Sequence, residues 1–302
     1  MSEVNYRCKG MTLRDKIVKI ASENGCRRLS DRAVGSLVEM IECECSERVH
    51  VALQTKSVGK LLGEFAAFLD SRGFEVDSPE DVHQEAPETY RFAKQIFKNR
   101  DVLVPFLCKV ALEVGGGKAV SYSVCSAETA NVLFNFLNGL TQSGHALEWR
   151  ATGNDFYVQI PADESKRRFF RSEWAEECFR YVISKTVNAA SEKFGVRNKI
   201  IPNVRIRRKG ETSEFTEFDV VAQLGGRFYV FEVKSGPWVR ILQWAAREQA
   251  FVTKDGPFRV IVCTIHNNIP CEIFEPQILV NLENFEDRVS RLFEADFADA
   301  VG

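Results

Sequence analysis

The chain has 302 residues, of which 45% are apolar and 27% charged, and a formal net charge of −2 at pH 7. These values are ordinary for a globular protein with room for more than one domain, and they exclude a globally basic nucleic-acid binder. The sequence shows no signal-peptide pattern and no apolar run long enough to span a bilayer, so we expect a cytoplasmic protein that does not enter membranes.

The first third of the chain carries the apolar periodicity of amphipathic helices. A glycine run, Gly115-Gly116-Gly117, follows it, and the pattern then changes. We therefore predict a mainly helical N-terminal domain over residues 1–117. The helical stretches within it are residues 12–24, 30–41, 58–72, 90–97 and 101–113.

Residues 118–162 predict a small β-α-β-β connecting element. Ser126 is placed to cap its helix, and Gly153-Asn154 joins its last two strands. The ionisable side chains His145 and Asp155 are isolated in this segment, and we expect them at the surface. Nothing here indicates chemistry, although a winged element is one interpretation of the pattern.

A β-hairpin is predicted around Gly225-Gly226. The flanking runs, Phe215–Leu224 and Arg227–Lys234, are rich in Phe, Val and Tyr. Two glycines between such runs suit a two-residue turn that needs a positive φ. The register then pairs residues whose numbers on the two strands mirror each other about the turn.

This register places two carboxylates opposite each other in an apolar hairpin. Asp219 faces Glu232 and Glu217 faces Lys234, and regular alternation points all four side chains to one face. Opposed carboxylates repel, and a hard divalent cation between them would cancel the repulsion. The alternative is a solvated, salt-bridged hairpin face without a metal.

The same residues resemble the PD-(D/E)xK nuclease superfamily, which has the restriction-endonuclease-like fold. Asp219 matches its first acid, and Glu232-Val233-Lys234 matches its Glu-x-Lys element; Phe218 stands where the superfamily has proline. The wording of the motif is most similar to CRISPR-associated nucleases that are activated by cyclic oligonucleotides. No counterpart of their sensor domain is recognisable in the first hundred residues.

The resemblance implies a C-terminal α/β domain at residues 163–302, with a mixed sheet flanked by helices. It implies Mg²⁺ or Mn²⁺ as the cofactor and a Lys234 that contacts the attacking water or the phosphate. Trp174-Ala175-Glu176 matches a helical motif of these nucleases, which gives Glu176 a supporting role, and Glu217 either pairs with Lys234 or binds metal. The implied metal ligands are Asp219, Glu232 and the Val233 carbonyl, and the implied catalytic set is Asp219, Glu232, Lys234, Glu176 and Glu217.

Two basic clusters flank this acidic hairpin. A solvated face is the usual meaning of such clusters, but their position beside a metal site favours phosphate contacts. We expect these side chains to position nucleic acid without reading its sequence. The residues are Arg168 and Arg171 at one helix, and Arg205, Arg207, Arg208 and Lys209 before the hairpin.

Together these features predict a metal-dependent endonuclease that hydrolyses phosphodiester bonds, with DNA ahead of RNA as substrate. A second copy of the chain is a further candidate partner. Two alternatives stay open: an inactive nuclease fold that binds nucleic acid or assembles with partners, and a metalloenzyme acting on another phosphate ester. Cys43-Glu-Cys45 has no second Cys or His pair at zinc-finger spacing, so a zinc site is disfavoured.

Overall fold

A computed structural model describes residues 63–71, 73–77, 87–114, 119–146, 148–210, 216–235, 258–266 and 278–298. The chain divides into two compact units, and every described residue belongs to the second, Val58–Gly302. None of the described helices combines the length and the apolarity that crossing a bilayer requires. The helices predicted at residues 12–24 and 30–41 lie outside the described residues.

A six-stranded mixed sheet forms the centre of the described unit. Its order is β1-β5-β6-β7-β8-β9; the first four strands are antiparallel to their neighbours, and β7, β8 and β9 run parallel. The parallel strands are nearly continuous apolar runs, as strands covered on both faces are. The strands are β1 (Phe74–Asp77), β5 (Asn198–Arg208), β6 (Thr216–Leu224), β7 (Arg227–Lys234), β8 (Phe258–Thr264) and β9 (Ile278–Asn281).

Helices cover one face of this sheet through a large apolar core. The long helix α5 presents Trp174, Phe179 and Val187 to the sheet, and Phe285 and Phe293 of α6 pack beside them. A π-helical turn, Phe169–Glu173, directly precedes α5 and buries Phe169 and Phe170. The helices are α1 (Pro87–Lys98), α2 (Arg100–Glu113), α3 (Ala127–Gln142), α4 (Glu164–Arg168), α5 (Trp174–Phe194) and α6 (Phe285–Phe297).

A second apolar cluster fills the opposite face of the sheet. Residues 63–70 are helical there. The rings of Phe65 and Phe68 each lie 5.4 Å from the ring of Phe228 on β7, centroid to centroid. The six-stranded sheet is therefore the middle layer of three.

A smaller antiparallel sheet, β2-β4-β3, is built from β2 (Val120–Ser123), β3 (Glu148–Thr152) and β4 (Asp155–Gln159). Its apolar side joins the same core as α5, since Val120, Phe156 and Val158 belong to that cluster. Ser126 caps α3 by accepting a hydrogen bond from the Thr129 N–H, as predicted.

The predicted α/β fold with a mixed sheet and flanking helices is confirmed, and the described order of helix α5, strands β5 to β9 and helix α6 is consistent with a restriction-endonuclease-like fold. The three-domain division stays a prediction. The described packing crosses both of its boundaries: β1 pairs with β5, and Phe92 of α1 stacks near Phe169. The division therefore does not coincide with a break in the core.

Candidate functional site

The hairpin has the predicted register near its turn. Leu224 pairs with Arg227 and Val220 with Phe231, and the described ladder between β6 and β7 ends there. Beyond it the Asp219 side chain turns toward the other strand. Its Oδ2 accepts a hydrogen bond from the Val233 backbone N–H at 2.5 Å. Asp219 thus occupies the place where the next ladder bond would form.

The side-chain alternation of β6 breaks at this same residue. Val220 packs in the core under α5, but Phe218 packs in the opposite cluster with Val221. Regular alternation would put Phe218 with Val220, so the strand has changed face between them. The regular alternation on which the shared face was predicted therefore does not hold at Asp219. Glu217 lies near the same acids, since its charge raises the pKa of Glu176.

The pKa values of the acids around Asp219 are shifted by burial and by one another's charges. The pKa of Asp219 is raised to about 6, mainly by burial and also by the charge of Glu176 on α5, against the lowering effect of the Val233 N–H bond. Burial also raises the pKa of Glu176, with Glu173 and Glu217 contributing in the same direction. Asp219, Glu176 and Glu217 are therefore close enough to feel each other's charge.

The Glu232 carboxylate is buried and contacts the Lys234 ammonium. Lys234 also lowers the pKa of Asp219, so its charge reaches both predicted metal ligands. The thiol of Cys263 on β8 lies nearby, because burial and the charges of Asp219 and Glu232 raise its pKa well above the usual value. Asp219, Glu232 and Lys234 thus form one electrostatic group.

Arg180 is a site residue that the sequence analysis did not single out. It lies on α5, one turn after Glu176, and its Nη1 donates to Glu177 Oε1 at 2.7 Å in a pair with little exposure. Its charge lowers the pKa of both Asp219 and Glu176. The spacing Glu176-Glu177-x-x-Arg180 was the available signal, since residues three and four apart meet on a helix.

The predicted nucleic-acid-binding residues are engaged with acids of the same chain. Arg207 pairs with Glu75 of β1 at 2.6 Å, and Lys209 with Asp70 at 2.5 Å. Arg205 is exposed and stands between Asp77 and Glu217 in the sheet register. At the other cluster, Arg168 pairs with Glu173 and Arg171 with Glu164, and the Arg208 side chain lies outside the described residues.

The donor chemistry of the site fits a hard divalent cation. Asp219 and Glu232 provide carboxylate oxygens, and a cation beside them would favour the charged form of Asp219, whose pKa is raised by burial and by the charge of Glu176. Within the described ranges, no group of three or more His, Cys, Asp or Glu side chains is arranged to hold a metal. The fit is therefore to an ion that keeps several water or substrate ligands, as Mg²⁺ commonly does.

No protein-family model matches the chain, and no curated protein matches it. Among solved structures it is similar to protein VC1899 from Vibrio cholerae, with 17% identity and a TM-score of 0.46 over 74% of this chain and 59% of that one. It is also similar to Can2 from Sulfobacillus thermosulfidooxidans in complex with cyclic tetra-adenylate, with 13% identity and a TM-score of 0.43 over 73% and 58%. The chain spans about three fifths of each of these structures. At such low scores neither similarity carries an inference about function.

Proposed function

We propose that the chain is a metal-dependent nuclease that hydrolyses phosphodiester bonds, with DNA ahead of RNA as substrate. The observation that carries the proposal is the position of Asp219 at the end of the β6–β7 ladder. There it shares one electrostatic environment with Glu176 on α5 and Lys234 on β7. A solvated, salt-bridged surface would not bring an acid of the sheet, Asp219, and an acid of the helical layer, Glu176, together at a half-buried position.

Asp219 and Glu232 would hold the Mg²⁺ or Mn²⁺, with the Val233 carbonyl as a further oxygen. The chemistry that such an ion supplies is stabilisation of charge on the phosphate and activation of a water molecule. Lys234 contributes a positive charge beside both carboxylates, so its ammonium can orient the attacking water or bind a phosphate oxygen. Glu176 and Glu217 add negative charge that supports a second ion or holds a water molecule in place.

The test is cleavage by the full chain of a plasmid, a single-stranded DNA and a single-stranded RNA, each with Mg²⁺, Mn²⁺ or a chelator. Asp219→Asn and Lys234→Ala should each reduce the rate by about 100-fold or more, because each removes a charge from the reacting centre. The matched controls are Glu148→Gln, an exposed acid of the small sheet, and Lys98→Ala, an exposed lysine at the end of α1. Undiminished cleavage in Lys234→Ala, or with the chelator present, would refute the proposal.

A second candidate is a nucleic-acid-binding protein whose nuclease fold is inactive. One observation favours it: Glu232 is engaged by Lys234, and Asp219 by the Val233 N–H. One oxygen of each ligand carboxylate therefore already has a protein partner in the metal-free protein. Binding of DNA without cleavage, unaffected by Asp219→Asn, would support this candidate over the nuclease.

A further inference from the structure

The break in β6 has a counterpart on the neighbouring strand. On β5, Ile201 packs in the cluster opposite α5, and so do Val204 and Ile206. Regular alternation would separate Ile201 from the other two, so β5 also changes face, between residues 201 and 204. Asn203 lies in this interval with a φ of 52°, in the left-handed region that asparagine and glycine tolerate best.

The two breaks lie opposite each other and compensate. Ile201 pairs with Val221 before them, and Val204 with Phe218 after them, so the register is unchanged. One residue on each strand, Asn203 and Asp219, lies between the two paired stretches. A β-bulge adds a residue to one strand only, whereas here both strands turn over together. The left-handed backbone of Asn203 and the departure of Asp219 from the β6 ladder are thus parts of a single distortion that involves both strands.

Arg180 ties this distortion to helix α5. Its Nη2 donates to the Asn203 side-chain oxygen at 3.1 Å, while its Nη1 binds Glu177 at 2.7 Å. Because one planar guanidinium makes both bonds, the position of Asn203 is fixed relative to the helix that carries Glu176. A conformation that costs free energy is kept only where its surroundings hold it.

We infer that Asn203 and Arg180 are positioning residues for Asp219. The left-handed backbone of Asn203, held by Arg180, turns Asp219 out of the β6 ladder and toward the Val233 N–H and the acids of α5. This inference rests on the proposed nuclease function for its biological purpose. The orientation of Asp219 is a property of the metal-free protein and can be measured there.

The direct readout is the amide resonance of Val233 in protein labelled with ¹⁵N-valine, recorded with a chelator. Asp219→Ala gives the reference shift for a lost Val233–Asp219 bond. Asn203→Ala disfavours the left-handed backbone and should move the resonance most of the way to that reference. Asn203→Gly adopts the same φ freely and should move it much less.

Arg180→Gln should also move the Val233 resonance, and Arg180→Lys, which keeps the charge, should restore it in part. Asn198→Ala is the matched control, because Asn198 lies on the regular part of β5 and bonds to Asn188. Thermal unfolding shows which variants fold. The exposed Asn203 can be replaced without opening the core, so its Ala and Gly variants keep the test valid if Arg180 variants unfold.

In the second readout, Mn²⁺ affinity by calorimetry, Asn203→Ala should bind about tenfold more weakly than Asn203→Gly, the size of effect expected when a ligand loses its orienting partner. An unmoved Val233 resonance in Asn203→Ala would overturn the inference, and so would equal shifts in the Ala and Gly variants together with an unmoved resonance in Arg180→Gln. A moved resonance in Asn203→Ala, together with a wild-type protein that neither binds Mn²⁺ nor cleaves nucleic acid, would leave the positioning role standing and refute the nuclease.

Discussion

Asp219 is the residue at which burial and neighbouring charge act most clearly together. Its pKa is raised from 3.8 to about 6, first by burial and then by Glu176, against the lowering effects of the Val233 N–H and Lys234. The folded protein therefore binds a proton at this residue over a pH range in which the unfolded chain has released it. Its effect on stability follows from that difference.

The first prediction concerns this pH dependence in metal-free protein. A raised carboxyl pKa gives a stabilising term that is fully present below pH 3.8 and is lost as the pH rises through about 6. From pH 5 to pH 7.5 the free energy of unfolding of the wild type should fall more than that of Asp219→Asn. The difference between the two falls should be about 1–2 kcal/mol, after allowing for solvent screening of a half-buried group. Urea unfolding with a chelator measures it, with Glu148→Gln as control; parallel curves for wild type and Asp219→Asn would contradict it.

The second prediction separates the basic residues beside the hairpin. Arg207 is only partly exposed and pairs with Glu75, and it lies on β5 beyond the last described pair with β6, Ile206 with Thr216. Arg205 is exposed and lies beside Glu217 of the site in the sheet register. Arg205→Gln should therefore flatten the salt dependence of DNA binding by about one unit of log slope, and Arg207→Gln by less.

Fluorescence anisotropy across a salt series measures these slopes, with a chelator present to prevent cleavage. Arg291→Gln, at an exposed i,i+4 pair on α6, is the control. A slope that Arg205→Gln leaves unchanged would mean that this face is only a paired, solvated surface.

Among single residues, the sequence located those whose signal is local. Asp219, Glu232 and Lys234 follow from a short spacing across one turn, and their shared electrostatics agrees with that spacing. The regular alternation assumed for β6 was wrong at Asp219, because the change of face comes with a left-handed Asn203 on the neighbouring strand, which the spacing of apolar residues does not indicate. Arg180 was missed because its importance depends on a strand more than twenty residues away.

The turn of the β6–β7 hairpin shows how closely one element is specified. Among its two glycines only Gly225 has a positive φ, 60°. A positive φ at the first central position alone is the pattern of a type II′ turn, which suits the twist of an antiparallel pair. A side chain at Gly225 would also approach the Phe297 ring to 3.1 Å, whereas one at Gly226 would meet nothing within 4 Å.

The third prediction follows from this asymmetry. Gly225→Ala should destabilise the fold by about 1–2 kcal/mol, from the left-handed backbone and the close approach to Phe297. Gly226→Ala should be close to neutral and is the matched control. Denaturant unfolding of both variants measures the difference, and equal stabilities would show that the turn is not held in this conformation.

Elements with strong internal patterns were predicted well, and short edge strands were not. The bounds predicted for β7 agree with the structure and those for β6 differ by one residue, since both are long apolar runs. Strands β1 and β9 were missed, because each has four residues and lies at an edge of the sheet. The partner of β1 is more than 120 residues away in sequence, so no local signal could have indicated the pairing.

At the scale of the whole described unit, a single apolar core contains residues from all three segments that the change of sequence pattern predicted to be separate domains. The ring of Phe169 lies 4.7 Å from the ring of His145, centroid to centroid and tilted by 57°, and the ring of Tyr181 on α5 lies 5.4 Å from that of Tyr90 on α1. The glycine run marks a change of pattern, but periodicity within a segment cannot reveal what its apolar face packs against.

The fourth prediction is that residues 163–302 alone do not form a well-packed domain. This fragment lacks β1 and the small sheet, and it exposes Phe169 and Tyr181 to water. It should bind a hydrophobic dye and unfold with low cooperativity, whereas a chain that begins at residue 58 should keep the cooperative transition of the full protein. Dye fluorescence and thermal melts compare the two, and a sharp melt of the 163–302 fragment without dye binding would support an independent nuclease-like domain.

The buried thiol of Cys263, beside the two carboxylates, also allows the opening of this protein to be measured as a rate of chemical labelling. Alkylating reagents react with thiolates, and the pKa of Cys263 is raised so far that the folded site offers almost none. Cys178, in the helical layer, is similarly protected, with its pKa raised to about 12, whereas Cys125 is exposed and gives the unprotected rate. If Cys263 and Cys178 are labelled at the same rate, the sheet and the helix open as one cooperative unit. Faster labelling of Cys263 would mean that the carboxylate site opens by a local fluctuation of its own, while helix α5 stays packed.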